Sequence, residues 1–257
     1  MGISVAMVLL LPKAKVNTKA VVADIAAKWP DFPDAVPVKA EPGQLMFEMG
    51  GLTVIGQLVP APIPWGDLEG PCRTSWMWPN AEEQLRAHAG HLIVTVMGDD
   101  DPVVRAKFLT IGIAGILGSC PEALGVYWGD ATLVIPSALF QDMAKEILPG
   151  GLPLFLWIDF RAGKNEDGTT GGFTSGLAAL GHMEFETDNA TDDVGTLRER
   201  LFNLANYVLE KGPVIKDGNT VGADANEKIR VVYSKSMYGH EGRVMRLDYQ
   251  PARKRRR

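Results

Sequence analysis

The chain has 257 residues, of which 46% are hydrophobic and 22% are charged, and its formal net charge is −5. This is ordinary globular usage, and the chain is long enough to bury a substantial core. Two cysteines, Cys72 and Cys120, are too few for a disulfide framework, so we expect two reduced thiols.

Charge is unevenly distributed along the chain. Residues 253–257 are all basic, and the other 21 basic residues face 31 acidic ones. An acidic body is a poor general binder of nucleic acid, whose phosphates require clustered Lys and Arg. We therefore expect no nucleic-acid partner, and we expect any protein partner to be basic.

The first predicted element is the apolar run from Ile3 to Leu11. No basic residue precedes this run and Pro12-Lys13 follows it, so we interpret it as a buried strand and not as a signal peptide. No stretch reaches the roughly 18 apolar residues that a membrane helix needs. We expect a cytoplasmic protein with no membrane partner.

The next elements complete a pattern in the first hundred residues. A helix begins at Asn17 or Thr18 and ends at Lys28, and two strands then flank the hairpin signal Gly50-Gly51. The order strand, helix, strand, strand, helix, strand is that of a ferredoxin-like unit. The predicted strands are 3–11, 45–49, 52–59 and 91–97, and the second helix is 81–89.

The remaining residues predict further α+β structure. Helices are expected at 102–117 and 137–148, and a long amphipathic helix begins at Asp192 or Asp193 and ends at Gly212-Pro213. Strands are expected at 126–128, 154–160, 183–187, 229–233 and 244–249. The fold class is α+β, with a mixed or antiparallel sheet carrying helices. Two ferredoxin-like units, or two α+β units sharing one sheet, remain open.

We predict three segments. Residues 1–100 form an N-terminal α+β unit, and residues 101–250 form a C-terminal α+β unit. Residues 251–257 form a disordered basic tail, because dense like charge without apolar residues cannot order itself.

The stretch 60–79 is a candidate contact surface. It holds five prolines and the tryptophans Trp65, Trp76 and Trp78, and we predict it to be irregular. Clustered aromatic side chains in such a segment make a recognition surface, or they seal a core beneath a long loop.

A second candidate is the run His182, Glu184 and Glu186. These side chains alternate along a predicted strand and so project from one face. With a neighbouring hydroxyl they would form an acid–base site. A hydrated sheet face or an acidic binding edge, with Met183 and Phe185 turned to the core, explains the same alternation.

Two other motifs predict no chemistry. Residues 168–181 are rich in glycine but lack a following lysine and the GxGxxG spacing, so we expect a mobile connection and not a phosphate site. His88 and His91 lie three residues apart without further ligands, so we expect no metal site. The sequence predicts no cofactor and no catalytic residue.

The C-terminal half carries a family resemblance. Residues 217–222 (Asp-Gly-Asn-Thr-Val-Gly), 227–231, 246–249 and the upstream stretch 176–186 together resemble the bacterial domain-of-unknown-function family DUF4261. The resemblance covers about residues 150–250. It implies a bacterial cytoplasmic protein, sometimes encoded near secretion or toxin loci, and it supplies no catalytic residues.

We therefore expect a non-enzymatic protein-binding factor, of the kind that serves as an immunity or accessory protein linked to a toxin or type VI secretion system. The alternative is a hydrolase that uses the His182, Glu184 and Glu186 face. A polar pocket converging on His182 would favour the enzyme, whereas a flat acidic or aromatic surface would favour the binding factor.

Overall fold

The structure is a computed structural model that describes residues 2–98, 101–224 and 227–249. The α+β class is confirmed, with two mostly antiparallel sheets. The chain divides into two compact units after Trp157, whereas the sequence placed the division after residue 100. The predicted basic tail, 251–257, lies outside the described residues.

Unit 1 comprises the described residues up to Trp157. Its elements are β1 (Gly2–Leu10), α1 (Thr18–Lys28), β2 (Ala35–Pro37), β3 (Gln44–Met49), β4 (Leu52–Val59), α2 (Trp65–Thr74), α3 (Ala81–Leu85), β5 (Gly90–Gly98), α4 (Pro102–Ser119), β6 (Ala123–Trp128), a 3-10 turn (Gly129–Ala131), β7 (Leu133–Pro136), α5 (Ser137–Ile147) and α6 (Leu154–Trp157).

The unit 1 sheet has the strand order β2-β3-β4-β5-β1-β6-β7, with every pair antiparallel. Its inner strands β4-β5-β1-β6, with the crossover helices α1 and α4, have ferredoxin-like topology. The sequence assigned the second crossover helix to residues 81–89 and the fourth strand to residues 91–97. That assignment was wrong, because α4 is the second crossover helix and β6 is the fourth strand of this unit. Val8 of β1 pairs with Val126 of β6, so the unit extends well beyond residue 100.

Helix α4 is the core helix of unit 1. It begins where the Asp101 carboxylate accepts a hydrogen bond from the Val103 backbone N–H at 2.8 Å, with Pro102 in the first turn. It is long enough and apolar enough to span a membrane by length and composition alone, yet 61% of it is buried inside the fold. It packs on α1, β1 and β5. Gly115 permits a close approach to α1, since a Cβ there would lie 2.6 Å from the Ile25 side chain.

Unit 2 comprises the described residues from Ile158 onward. Its elements are β8 (Asp159–Lys164), β9 (Thr170–Ser175), a 3-10 turn (Ala178–Leu180), β10 (Phe185–Ala190), α7 (Val194–Lys211), β11 (Thr220–Val221), β12 (Ile229–Lys235) and β13 (Arg243–Asp248).

The unit 2 sheet has the order β11-β12-β13-β10-β9-β8, and its described strands pair antiparallel except β10 with β13. Helix α7 buries Leu197, Leu201, Ala205 and Val208. A second ferredoxin-like unit is therefore wrong, because the described residues provide one long crossover helix here, between β10 and the β11–β13 strands.

One local prediction fails where unit 1 passes into unit 2. The predicted strand 154–160 is a helical turn that ends at Trp157, followed by β8. The Trp157 indole N–H donates to Thr110 Oγ1 at 2.8 Å, which anchors that turn within unit 1.

The glycine-rich stretch 168–181 is a strand, β9, for six of its residues, and β9 lies between β8 and β10. A Cβ at Gly172 would lie 2.7 Å from the Arg161 carbonyl oxygen and 2.9 Å from Leu197 Cδ2. Glycine here serves close packing of the sheet under α7, and this packing replaces the expected mobile connection.

Candidate functional site

Glu184 and Glu186 are 4% and 0% exposed, so the expected hydrated face or acidic edge is wrong at these positions. The Glu184 carboxylate accepts hydrogen bonds from Gly176 N at 2.8 Å, Ala178 N at 2.9 Å and Thr174 Oγ1 at 2.7 Å. Burial raises the pKa of Glu184, and these hydrogen bonds oppose the rise. Glu184 thus fixes the turn that follows β9.

Glu186 fixes a different segment, the connection between β12 and β13. Its carboxylate accepts hydrogen bonds from Ser236 Oγ, from Met237 N at 2.8 Å and from His240 Nδ1 at 2.9 Å. Three donors on one buried carboxylate satisfy the charge that burial would otherwise penalise.

The imidazole that meets Glu186 is that of His240, 54 residues later, and not that of His182. His182 lies in the turn before β10 and lines a small cavity of about 120 Å³ with apolar residues including Val208 and Met245. Desolvation lowers the pKa of His182. The predicted trio is therefore divided among separate environments, and no polar pocket converges on His182 among the residues that line its cavity.

The Glu186–His240 pair resembles half of an acid–base centre. His240 Nδ1 lies 2.9 Å from Glu186 Oε1, which turns Nε2 away from the carboxylate, and 18% of the histidine side chain is exposed. The Ser236 hydroxyl donates a hydrogen bond to Glu186 and accepts hydrogen bonds from the backbone N–H groups of Tyr238 and His240. The Phe173 ring lies 4.6 Å from that of Tyr238 and 5.4 Å from that of His240. The serine is thus committed to the carboxylate and is not activated by the histidine.

The tryptophan segment of unit 1 contains α2 and is not irregular throughout. Trp78 is 4% exposed, and its indole N–H donates to Gln84 Oε1 at 3.0 Å. Trp65 is half-buried beneath the Arg86 guanidinium, 4.0 Å from the ring centroid. Trp76 is 43% exposed and packs edge-on against Phe155, with 5.6 Å between the ring centroids. The three rings therefore have separate roles, and Trp78 seals the core.

The two histidines of the first half hold the same proline-rich segment. His88 Nε2 accepts from Ile63 N at 2.9 Å while its Nδ1 bonds the Leu85 carbonyl, and His91 Nδ1 lies 2.9 Å from the Ala61 carbonyl oxygen. Both rings are engaged by backbone groups of the chain itself, which accounts for their close spacing.

An open groove of about 620 Å³ lies in unit 2 between α7 and the chain that leads into β12. Two of its apolar lining residues, Tyr207 and Val214, are 46% and 45% exposed. The apolar lining residues include Leu204, Tyr207, Val214 and Ile215, and the polar lining residues include Asn219, Thr220, Asp224, Glu227 and Lys228. We call this feature the α7 groove.

Strand β11 lies along the α7 groove and forms one edge of the sheet. A second hollow of about 360 Å³ adjoins it, sharing Leu204, Val221 and Gly222 and adding Glu199 and Arg200 among others. Gly222 permits the close approach of Glu227, since a Cβ at Gly222 would lie 2.3 Å from the Glu227 carbonyl oxygen.

An ion-pair network holds the rim of the groove. Arg200 of α7 donates to both carboxylate oxygens of Glu227, at 2.8 and 2.7 Å, and to Asp192 Oδ2 at 2.9 Å. The Tyr249 hydroxyl donates to the same Asp192 oxygen at 2.7 Å. Burial alone would lower the pKa of Arg200, but hydrogen bonds to Glu227 and Asp192 raise it above its ordinary value. The rim is thus preorganised by bidentate contacts.

Comparison with known proteins confirms the family resemblance. Residues 173–248 match the family model described as Domain of unknown function (DUF4261). No curated protein and no solved structure matches the chain. The matched segment runs from β9 to β13, and it contains the two buried glutamates, His240, α7 and the residues of the α7 groove.

Proposed function

We propose that this protein is a non-enzymatic protein-binding factor and that the α7 groove is its contact surface. The observation that supports the proposal is the exposure of Tyr207 and Val214 beside a concave, partly polar wall. Exposed apolar side chains rimmed by polar groups are typical of interaction sites, and tyrosine is enriched among the residues that dominate binding energy.

The form of the groove favours an extended segment of the partner. Strand β11 is an edge strand that pairs with β12, and both of its residues, Thr220 and Val221, line the groove. An edge strand offers backbone N–H and C=O groups to a further strand, while neighbouring hollows select side chains. Apolar side chains of the partner would contact Leu204 and Tyr207 of α7.

Charge favours a basic partner. The α7 groove and its adjoining hollow are lined by the acidic residues Glu199, Asp224 and Glu227 and by the basic residues Arg200 and Lys228. The whole chain carries a net charge of −5. Such a field raises the association rate of a basic protein and makes that rate sensitive to salt.

The setting within this proposal is that of a cytoplasmic immunity or accessory factor linked to a bacterial toxin or type VI secretion system. The family resemblance supports the bacterial context. The free and buried thiols of Cys72 and Cys120 suit a reducing compartment.

A photo-crosslinker at the exposed rim position Asn203 would capture the partner in the bacterial host, and the purified pair would then be titrated by calorimetry. We expect Tyr207→Ala and Val214→Ala each to weaken binding by about tenfold, the change expected of central apolar contacts. Met237→Ala is the matched control, because Met237 is 41% exposed and does not line the groove. A partner that binds both groove variants as tightly as the unchanged protein would refute the proposal.

The Glu186–His240 pair favours a second candidate function, the hydrolase alternative with His240 in place of His182. A carboxylate that orients an imidazole is the arrangement of a general base. If this candidate is right, hydrolysis of activated esters disappears in both His240→Ala and Glu186→Gln and persists in His182→Ala. Equal turnover in all three folded variants would exclude it.

A further inference from the structure

The two faces of the unit 1 sheet differ in how they are covered. On one face the side chains of Val8 in β1 and of Val94 and Val96 in β5 are fully buried, and α4 packs against both strands. On the other face Ile3, Val5 and Met7 of β1 keep part of their surface. Ile3, at the end of β1, is 58% exposed.

Strand register places these partly exposed side chains side by side. Thr95 of β5 lies between Val5 of β1 and Ile55 of β4, and Ile55 in turn lies beside Met46 of β3. Residues opposite one another on adjacent strands share a face. We call this surface the open face, and its apolar members are Ile3, Val5, Met7, Val36, Met46, Ile55, Ile93 and Met97.

The polar members of the open face are almost all uncharged. They are Gln44, Thr53, Gln57 and Thr95, with Glu48 the charged residue among the described positions that share these registers. Three of the apolar members are methionines, whose flexible side chains adapt to a partner surface. A partner that binds here would be recognised by apolar contact.

Short helices already cover the adjoining part of the same face. Leu9 follows Met7 on β1 with the same orientation, and it packs in a buried cluster with Leu68 and Cys72 of α2 and Leu85 of α3. Met7 is only partly buried against that cluster. The helical layer therefore ends at Met7, and the sheet continues beyond it.

We infer that the open face docks an amphipathic helix of a partner protein, which extends the layer begun by α2 and α3. The apolar members lie on five adjacent strands, from β2 to β1, and these four strand spacings give a width of about 19 Å, which is the length of a helix of about 13 residues. From Ile3 to Met7 the face is about 13 Å deep, close to the diameter of one helix. The face is much smaller than the roughly 800 Å² that each partner buries in a stable interface between two folded proteins, so its size suits one short helix and not the broad surface of a second copy of this chain.

The test uses a phage-displayed library of helical peptides with charged outer positions and randomised apolar inner positions. Peptides selected on the full chain would be purified and titrated by fluorescence anisotropy. We expect Thr95→Arg, at the centre of the open face, to weaken binding by at least about tenfold. Ala20→Arg adds the same charge at an exposed position of α1 and should leave affinity unchanged.

Circular dichroism of each variant verifies its fold. Ile3→Asp, at the most exposed residue of the open face, is a second substitution that should weaken binding. We expect bound peptides to be helical and their affinity to change little up to about 0.5 M salt, because no charge pair is involved. Failure to select a peptide, selection of extended peptides, or equal binding to Thr95→Arg would each overturn the inference. Self-association that Thr95→Arg abolishes would also overturn it, in favour of a second copy.

Discussion

Replacing Glu186 by alanine should destabilise unit 2 strongly. The carboxylate is 0% exposed and accepts from Ser236, Met237 and His240. Hydrogen bonds to a charged group contribute about 1.5–3 kcal/mol each, and a buried donor left unpaired costs about 1–3 kcal/mol. The cost of desolvating the carboxylate offsets part of this sum, so we expect a net loss of about 3–5 kcal/mol, as for other broken buried pairs. Glu186→Gln keeps one acceptor oxygen and should cost less.

The measurement must report on unit 2 itself, because all of the tryptophans lie in unit 1. Hydrogen exchange of peptides from β12 and β13, together with urea unfolding followed by circular dichroism, meets this need. Glu241→Ala is the matched control, since Glu241 lies exposed in the same connection, and it should change the free energy of unfolding by less than about 0.5 kcal/mol. Equal protection in Glu186→Ala and Glu241→Ala would refute the reasoning.

Three further outcomes follow from burial and packing. Burial raises the pKa of Glu184, so the contribution of this group to stability is full below the unfolded pKa of about 4.3 and is lost as the pH rises through the folded pKa. In urea unfolding, the free energy of unfolding should therefore fall less between acid and neutral pH in Glu184→Gln than in the unchanged protein. In thermal unfolding, Gly172→Ala should lower the free energy of unfolding by about 1–3 kcal/mol through overpacking under α7, whereas Gly163→Ala, which has open space at its Cβ, should be nearly neutral. Burial raises the pKa of Cys72 to about 11, so a disulfide reagent at neutral pH should label this thiol only after unfolding.

Local signals predicted the long helices and most strands. Asp193 caps α7 by accepting from Gly195 N and Thr196 N, and Gly212 ends the helix with a φ of 77°. These contacts join neighbours in the chain, so the residue types reveal them. The unit boundary depends instead on the pairing of β1 with β6, which are more than a hundred residues apart, and no local pattern encodes that pairing.

The candidate site shows the same division between local and distant information. The alternation correctly placed Phe185 and Glu186 on opposite faces of β10. Thr187 pairs with Gly172, which packs under α7, and Phe185 lies on the same face of the strand as Thr187. Burial of Glu186 is caused by the β12–β13 connection, which folds back over that face. His240 stands between Gly239 and Glu241 in that connection, and no pattern in the sequence singles it out.

The burial of both glutamates also changes how a binding function must be tested. Charge reversal at Glu184 or Glu186 would place an ammonium group among backbone donors inside the fold, so a loss of binding would report unfolding. The α7 groove and the open face give cleaner probes because their side chains are exposed or partly exposed and the two surfaces differ in charge. Association through the groove should weaken as salt is added, whereas association through the open face should change little. One salt titration of each complex therefore assigns the partner to its surface before any variant is made.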